Sequence, residues 1–346
     1  MPTNSISLAV RVIRTSALTV SLVCILAASV YAAGKTKTGF EAFIVGNPAD
    51  AQPSQNLSPG LVLMGGGTDV DAAFQWMCQR AGGGDFLVIR TSGADAYNPY
   101  IQELCPQMDS VETIIITSVT GANSAYVSGQ IQNAEALWIA GGDQSTYVAL
   151  WRGTAVQAGV DFLLNSKQAP VGGTSAGLAV LSQFIYTGAL GSVTSSQALA
   201  NPFHRYVTLD RDLFQSVLGG GKLYDSHFVT RDRLGRSLVF LARLVNNGWA
   251  TQPRGIGIDE ETALLVTPDG GATMVGSGAA YFLQAPGPAQ VLAERTPMTY
   301  LNIGVYKLPQ GGTFDFSTWT GTGGVAYTLN VNNGSVTSTQ AGGNIY

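Results

Sequence analysis

The sequence predicts an α/β protein: a mostly parallel sheet with helices on both faces, followed by a C-terminal β extension. Three observations carry this expectation. From about residue 58, short apolar runs alternate with amphipathic segments, the rhythm of a parallel sheet covered on both sides. The runs end in Gly- and Ser-rich loops, and open parallel sheets bind their ligands at the carboxyl ends of strands. Residues 286–346 then change character. They are rich in Gly, Thr and Val and alternate with a strand period, as in Ala326 to Val331 before Asn332-Asn333-Gly334.

The elements follow in order. The first strand, Leu61 to Met64, ends in Gly65-Gly66-Gly67, and a helix from about Asp69 to Arg80 carries Ala73, Trp76 and Met77 on one face. The second strand, Phe86 to Arg90, precedes a loop and a helix from about Pro99 to Met108. Strands at Val111 to Thr117 and Ala136 to Ala140 flank a short helix near Tyr126 to Gln132. Gly141-Gly142-Asp143-Gln144 then opens a helical stretch, Ser145 to Leu164, broken near Gly153. A fifth strand near Pro170 to Gly172 delivers Ser175. An insertion from about Gly188 to Leu223 leads to a helix from about Arg231 to Asn246. A buried strand, Arg254 to Ile258, follows, and a hairpin turns around Pro268-Asp269-Gly270. The triple glycine lacks the G-x-G-x-x-G and GK[ST] patterns, so it is not read as a nucleotide loop.

Residues 1–32 read as a signal peptide. Arg11 and Arg14 precede an apolar run from Ala17 to Ala28, and Val30-Tyr31-Ala32 offers a cleavage site. Residues 33–57 read as a loose N-terminal arm, 58–285 as the catalytic α/β domain, and 286–346 as a β extension packed on that domain. The expected location is therefore secreted or periplasmic, with no membrane attachment after cleavage. Losing two basic residues takes the net charge from −4 to −6. No basic patch stands out, which argues against nucleic acid. Two cysteines remain after cleavage, Cys78 and Cys105. An oxidising compartment makes them candidates for a disulfide, the alternative being two buried thiols. Neither they nor the two histidines show metal-ligand spacing, so neither a metal nor an organic cofactor is expected.

Chemistry centres on Gly173-Thr174-Ser175-Ala176-Gly177. A serine becomes a nucleophile when a sharp strand-to-helix turn lifts its hydroxyl out and a base stands beside it. Of the two histidines, His204 sits in the insertion. His227 lies between a strand and a helix, within a polar group that includes Asp225, Arg231, Arg233 and Arg236. Glu260 ends a strand and can face the carboxyl edge that holds Ser175; Asp225 and Asp259 compete with it as the acid. No histidine follows 227, so the chain order is not that of an α/β-hydrolase. Ser, His, Glu in that order fits a flavodoxin-like architecture of the class I glutamine amidotransferase type. The amide of Ala176, with one from Gly142 or Asp143, would form the oxyanion site, where one donor is typically worth about 3 kcal/mol.

Taken together, these motifs resemble the cyanophycinase family and its relatives, including the aspartyl dipeptidase peptidase E. The resemblance rests on Met64-Gly65-Gly66-Gly67, on residues 141–144, on residues 172–177, and on Asp225-x-His227-Phe228-x-x-Arg231-x-Arg233-x-Gly235-Arg236 leading to Gly255-Ile256-Gly257-Ile258-Asp259-Glu260. It covers roughly residues 58 to 285. It implies a serine peptidase with a triad of Ser175, His227 and Glu260. It also implies a cleft bordered by Asp143, Gln144, Asp225, Ser226, Arg231, Arg233 and Arg236, and a homodimer. Cyanophycin has a poly-aspartate backbone with arginine on each β-carboxyl, and arginines in the cleft suit its free α-carboxylates. Ser226 stands where the family tends to have glutamine, and residues 286–346 lie outside the resemblance. Other aspartyl or isoaspartyl peptides are the alternative substrates. A non-catalytic binding protein of the same fold is the rival from another class.

Overall fold

The computed structural model describes residues 39–346 apart from 52, 54–56, 216, 217 and 219. The expected signal peptide lies outside the described residues. In chain order the elements are β1 (Phe40–Gly46), β2 (Gly60–Met64), α1 (Asp71–Ala81), β3 (Asp85–Arg90), α2 (Tyr97–Leu104), β4 (Ser110–Ile116), α3 (Val119–Ala122), α4 (Ala125–Asn133), β5 (Ala136–Ile139), α5 (Gln144–Trp151) and α6 (Ala155–Phe162). The central segment continues with β6 (Pro170–Thr174), α7 (Ala176–Val180), β7 (Phe184–Tyr186), α8 (Ser195–Ala200), β8 (Leu209–Arg211), β9 (Lys222–Asp225), α9 (Leu234–Asn246) and β10 (Arg254–Ile258). The rest is β structure: β11 (Thr262–Val266), β12 (Gly271–Gly276), β13 (Ala279–Gln284), β14 (Tyr300–Pro309), β15 (Thr313–Asp315), β16 (Thr320–Thr322), β17 (Val325–Asn332) and β18 (Ser335–Ser338).

Two sheets form. The larger has the order β1-β4-β3-β5-β6-β2-β11-β12-β15-β16, the smaller β18-β17-β14-β13-β10-β9-β7-β8. Parallel pairing is concentrated in the run β4-β3-β5-β6-β2. Antiparallel strands flank it on both sides, so the architecture is mixed around a parallel centre. Alternation explains why these apolar runs bury both faces. Leu61 and Leu63 point into one core with Ile139 and Val171. Val62 and Met64 point into the other with Phe74, Val88 and Trp138. A third core joins Leu234, Leu238 and Leu241 of α9 to Leu223, Tyr281 and Val305 of the smaller sheet.

Residues 40–46 correct the loose-arm reading of 33–57. They pair antiparallel with β4 over the whole of β1, and Phe40 stacks on Tyr126 at 5.4 Å. An edge strand left bare would expose unpaired amides and carbonyls, and Phe-Glu-Ala-Phe-Ile-Val has the composition to cover it. Residues 286–346 add β14, β17 and β18 to the smaller sheet and β15 and β16 to the larger. Cys78 of α1 is bonded to Cys105 at the end of α2. The last helix before β10 begins at Leu234, not Arg231, because the turn preceding it holds His227 and Asp232 at positive φ.

Candidate active site

Strand β6 ends at Thr174 and α7 begins at Ala176, leaving Ser175 alone at the turn with φ 53° and ψ −110°. A non-glycine residue held there costs on the order of 1–3 kcal/mol and needs its surroundings to hold it. Gly177 is part of that support. A Cβ there would come within 2.0 Å of the Ile139 carbonyl oxygen, so only glycine lets α7 sit against β5. The backbone amide of Ser175 donates to the Met64 carbonyl at 3.1 Å.

Ser175 Oγ lies 2.8 Å from His227 Nε2, and His227 Nδ1 lies 2.5 Å from Glu260 Oε1. His227 itself has φ 46°. Its ring is buried, and burial lowers its pKa from the ordinary 6.5; the Glu260 hydrogen bond opposes this, and the charges of Arg231 and Arg233 add to it. A neutral imidazole with one nitrogen against a serine hydroxyl and the other against a carboxylate is arranged to accept a proton.

The first glycine loop holds this relay in place. A Cβ on Gly66 would stand 2.4 Å from His227 Cε1, and one on Gly67 would stand 2.9 Å from Glu260 Cβ. The His227 amide donates to the Gly65 carbonyl at 2.8 Å, and the Glu261 amide to the Gly66 carbonyl at 2.9 Å. The loop is thus a backbone cradle for the imidazole. Its three glycines were the visible signal in the sequence, but the histidine they pack against is far along the chain.

The rival acids have other partners. Asp259 Oδ1 accepts from the amides of Val229 and Thr230 and from the Thr230 hydroxyl, fixing the turn that follows His227. Asp225 is buried. It accepts from Arg236 Nε and Nη2 at 2.9 and 2.6 Å and from the Ser237 hydroxyl at 2.9 Å. Burial pushes its pKa up, but Arg236 and the hydrogen bonds outweigh that and hold it below the usual carboxylate value.

This corrects the cleft assignment of Asp225, Ser226 and Arg236. The Arg236 side chain is 3% exposed and spent on Asp225 and the Tyr186 ring. Ser226 is buried, and its carbonyl and hydroxyl accept from Arg233 Nη1. Charged groups at this depth survive only when paired. Arg233 is largely buried as well, and burial lowers its pKa to about 10, opposed by Asp225. Arg231 is different: its side chain is 54% exposed, with Nε 3.7 Å from Glu260 Oε1.

On the other side of Ser175, a Cβ on Gly141 would lie 3.6 Å from Ser175 Cβ, so Gly141 packs beside the serine side chain. Gly142 and Asp143 are exposed. Asp143 caps α5 by accepting from the Ser145 amide and hydroxyl and the Thr146 hydroxyl. The Ala176 amide, first in its helix, has no intrahelical acceptor. Gln144 is tied by its Nε2 to the Tyr186 carbonyl at 3.2 Å. His204 stays in the insertion, where its Nδ1 accepts from the Tyr206 amide. One neighbour had no signal in the sequence. The Tyr346 phenol donates to Asp232 Oδ1 at 2.8 Å, accepts from the Leu234 amide, and packs edge-on to Phe228 beside His227.

No protein-family model matches the chain. It is 24% identical to a cyanophycinase from Nostoc sp. over 213 residues, covering 60% of this chain and 65% of that protein, a little under two thirds of the relative's length. It is likewise 24% identical to a cyanophycinase from Thermosynechococcus vestitus over 277 residues, covering 75% of this chain and 80% of that protein. Among solved structures it resembles a peptidase from an acI-B1 actinobacterium with a TM-score of 0.50 and 15% identity, covering 75% of this chain and 98% of that one. In sequence the chain is thus similar to cyanophycinases, and in fold to this peptidase.

Proposed function

We propose that the chain is an exported serine peptidase of cyanophycinase type that hydrolyses cyanophycin or related β-aspartyl peptides through Ser175, His227 and Glu260. The observation that carries this reading is the unbroken relay from Ser175 Oγ to His227 to Glu260, set on a strained turn. Ser175 Oγ attacks the scissile carbonyl carbon as its proton passes to His227 Nε2. Glu260 orients the ring and balances its positive charge. The amides of Ala176 and of Gly142 or Asp143 receive the oxyanion. The C–N bond then breaks, the amine leaves with the proton from His227, and a serine ester remains. Water, deprotonated by His227, releases the acid and restores the hydroxyl. Arg231 is the exposed arginine beside Glu260, and in this reading it receives the free α-carboxylate of a β-aspartyl unit. Ser226 acts only through Arg233. The Cys78–Cys105 bond supports an oxidising location, periplasmic or secreted.

The test is incubation with cyanophycin and a panel of β-aspartyl dipeptides beside a Ser175→Ala control. Release of β-aspartyl-arginine or free aspartate by the wild type alone is the expected result. Cleavage by both proteins, or by neither, would overturn the reading.

A further inference from the structure

The β extension reaches back to the turn that presents His227. That turn runs from His227 to Leu234, the first residue of α9. His227 and Asp232 both have positive φ, 46° and 47°. Non-glycine residues persist in that region only when their surroundings hold them. The first half of the turn is anchored by Asp259, which accepts from the amides of Val229 and Thr230. The second half folds back on the first: the Asp232 amide donates to the Val229 carbonyl at 2.9 Å and the Arg233 amide to the Phe228 carbonyl at 2.8 Å. The Ser195 hydroxyl donates to the Asp232 carbonyl.

Tyr346 supplies a side-chain anchor for this second half. Arg233, at the N-cap of α9, makes no side-chain cap, and the first amide of a helix has no intrahelical acceptor. The Tyr346 hydroxyl accepts from the Leu234 amide at 3.0 Å and donates to Asp232 Oδ1 at 2.8 Å. One phenol thus uses both its donor and its acceptor to join Asp232 to the start of the helix. Burial raises its pKa; the Leu234 hydrogen bond opposes this and Asp232 adds to it, so the phenol keeps its proton.

The ring of Tyr346 acts on the other end of the turn. It meets Phe228 edge-on at 6.0 Å and Tyr281 edge-on at 5.8 Å, while Phe228 and Tyr281 lie tilted together at 5.3 Å. Phe228 is wholly buried. Gly257 makes room for it, since a Cβ there would stand 2.3 Å from its ring. Phe228 follows His227 directly, so a shift of its ring moves the backbone that carries the imidazole. Tyr346 is itself held. Gln340 Nε2 donates to the carbonyls of Asn344 and Tyr346 at 2.8 and 3.1 Å, and the Tyr327 hydroxyl donates to the Ile345 carbonyl at 3.0 Å.

We propose that Tyr346 is a positioning residue for His227. It fixes the turn so that Nε2 stays within reach of Ser175 Oγ while Nδ1 stays on Glu260. The catalytic consequence rests on the reading of Ser175 as nucleophile; the placement of the ring does not. A misplacement of about 1 Å in such a relay can cost up to about 10²-fold in rate.

The test is Tyr346→Phe, which keeps the ring and removes both hydrogen bonds of the phenol. Two readouts follow it. The first is the rate of fluorophosphonate labelling of Ser175, expected to fall roughly three- to ten-fold. The second is the NMR spectrum of isotope-labelled histidine rings, which needs no nucleophile. The chain has 2 histidines, and His204→Gln assigns them. The His227 resonances should move while those of His204 stay, and the urea midpoint should change little. Tyr346→Ala, which also loses the ring contacts, should move both readouts further. Labelling at the wild-type rate, or His227 resonances that stay in place, would overturn the proposal. So would a change that spreads to His204 with a collapse of the urea midpoint, the mark of a residue that serves only the fold. If wild-type Ser175 takes no label, the nucleophile reading fails by itself, and the resonances alone decide whether Tyr346 holds the ring.

Discussion

Arg231 and Arg236 belong to one basic stretch of sequence, yet they meet opposite environments. Arg236 is sealed against Asp225 in a bidentate pair beneath the Tyr186 ring. Arg231 stands in solvent beside Glu260. The acids divide in the same way: Asp225 belongs to the interior, Asp259 to a turn, and Glu260 to the imidazole. The sign of the charge is the same within each set. Depth and partners assign the work, because a buried ion must be paired where it lies, while an exposed one is free to meet a ligand.

Substitution on the buried side has the largest expected effect on the fold. Asp225→Ala leaves Arg236 buried without its partner. Removing one member of such a pair typically costs about 3–5 kcal/mol of stability. Urea denaturation should show that fall, and Ser175 in the surviving folded fraction should still react with a fluorophosphonate. An unchanged midpoint would mean that the pair carries no structural weight.

Substitution on the exposed side should leave stability nearly intact and shift the pH profile instead. In the proposed mechanism His227 must be neutral to accept a proton, and its lowered pKa keeps it neutral below pH 6.5. On that proposal the acid limb of kcat/KM should fall below the ordinary imidazole value. Arg231 contributes to that lowering, so Arg231→Ala should move the limb upward, toward 6.5, with little change in denaturation midpoint. A limb that stays put or moves down would contradict the role given to Arg231.

Much of this was legible in the sequence, and the illegible part has a physical pattern. Alternating apolar runs announced the parallel centre, since a strand buried on both faces must be apolar throughout. Small residues around Ser175 announced the turn, and the scarcity of histidine directed attention to His227. Strand β1 was missed because its apolar residues lie among Gly, Thr and Pro, and only the exposed edge of β4 makes it a strand. The division of Asp225, Ser226 and Arg236 from Arg231 was missed because sequence records charge but not depth. The cradle formed by Gly65 to Gly67 and the contacts of Tyr346 join residues distant in the chain, and no local pattern encodes them.

The most direct test of the relay is intact-mass measurement after treatment with a fluorophosphonate across a pH series. The account predicts one adduct, located at Ser175 and absent from Ser175→Ala. Its rate should hold at neutral pH and decline only once the solution is acid enough to protonate His227. A wild type that stays unlabelled at every pH, or a Ser175→Ala variant labelled as readily, would contradict it.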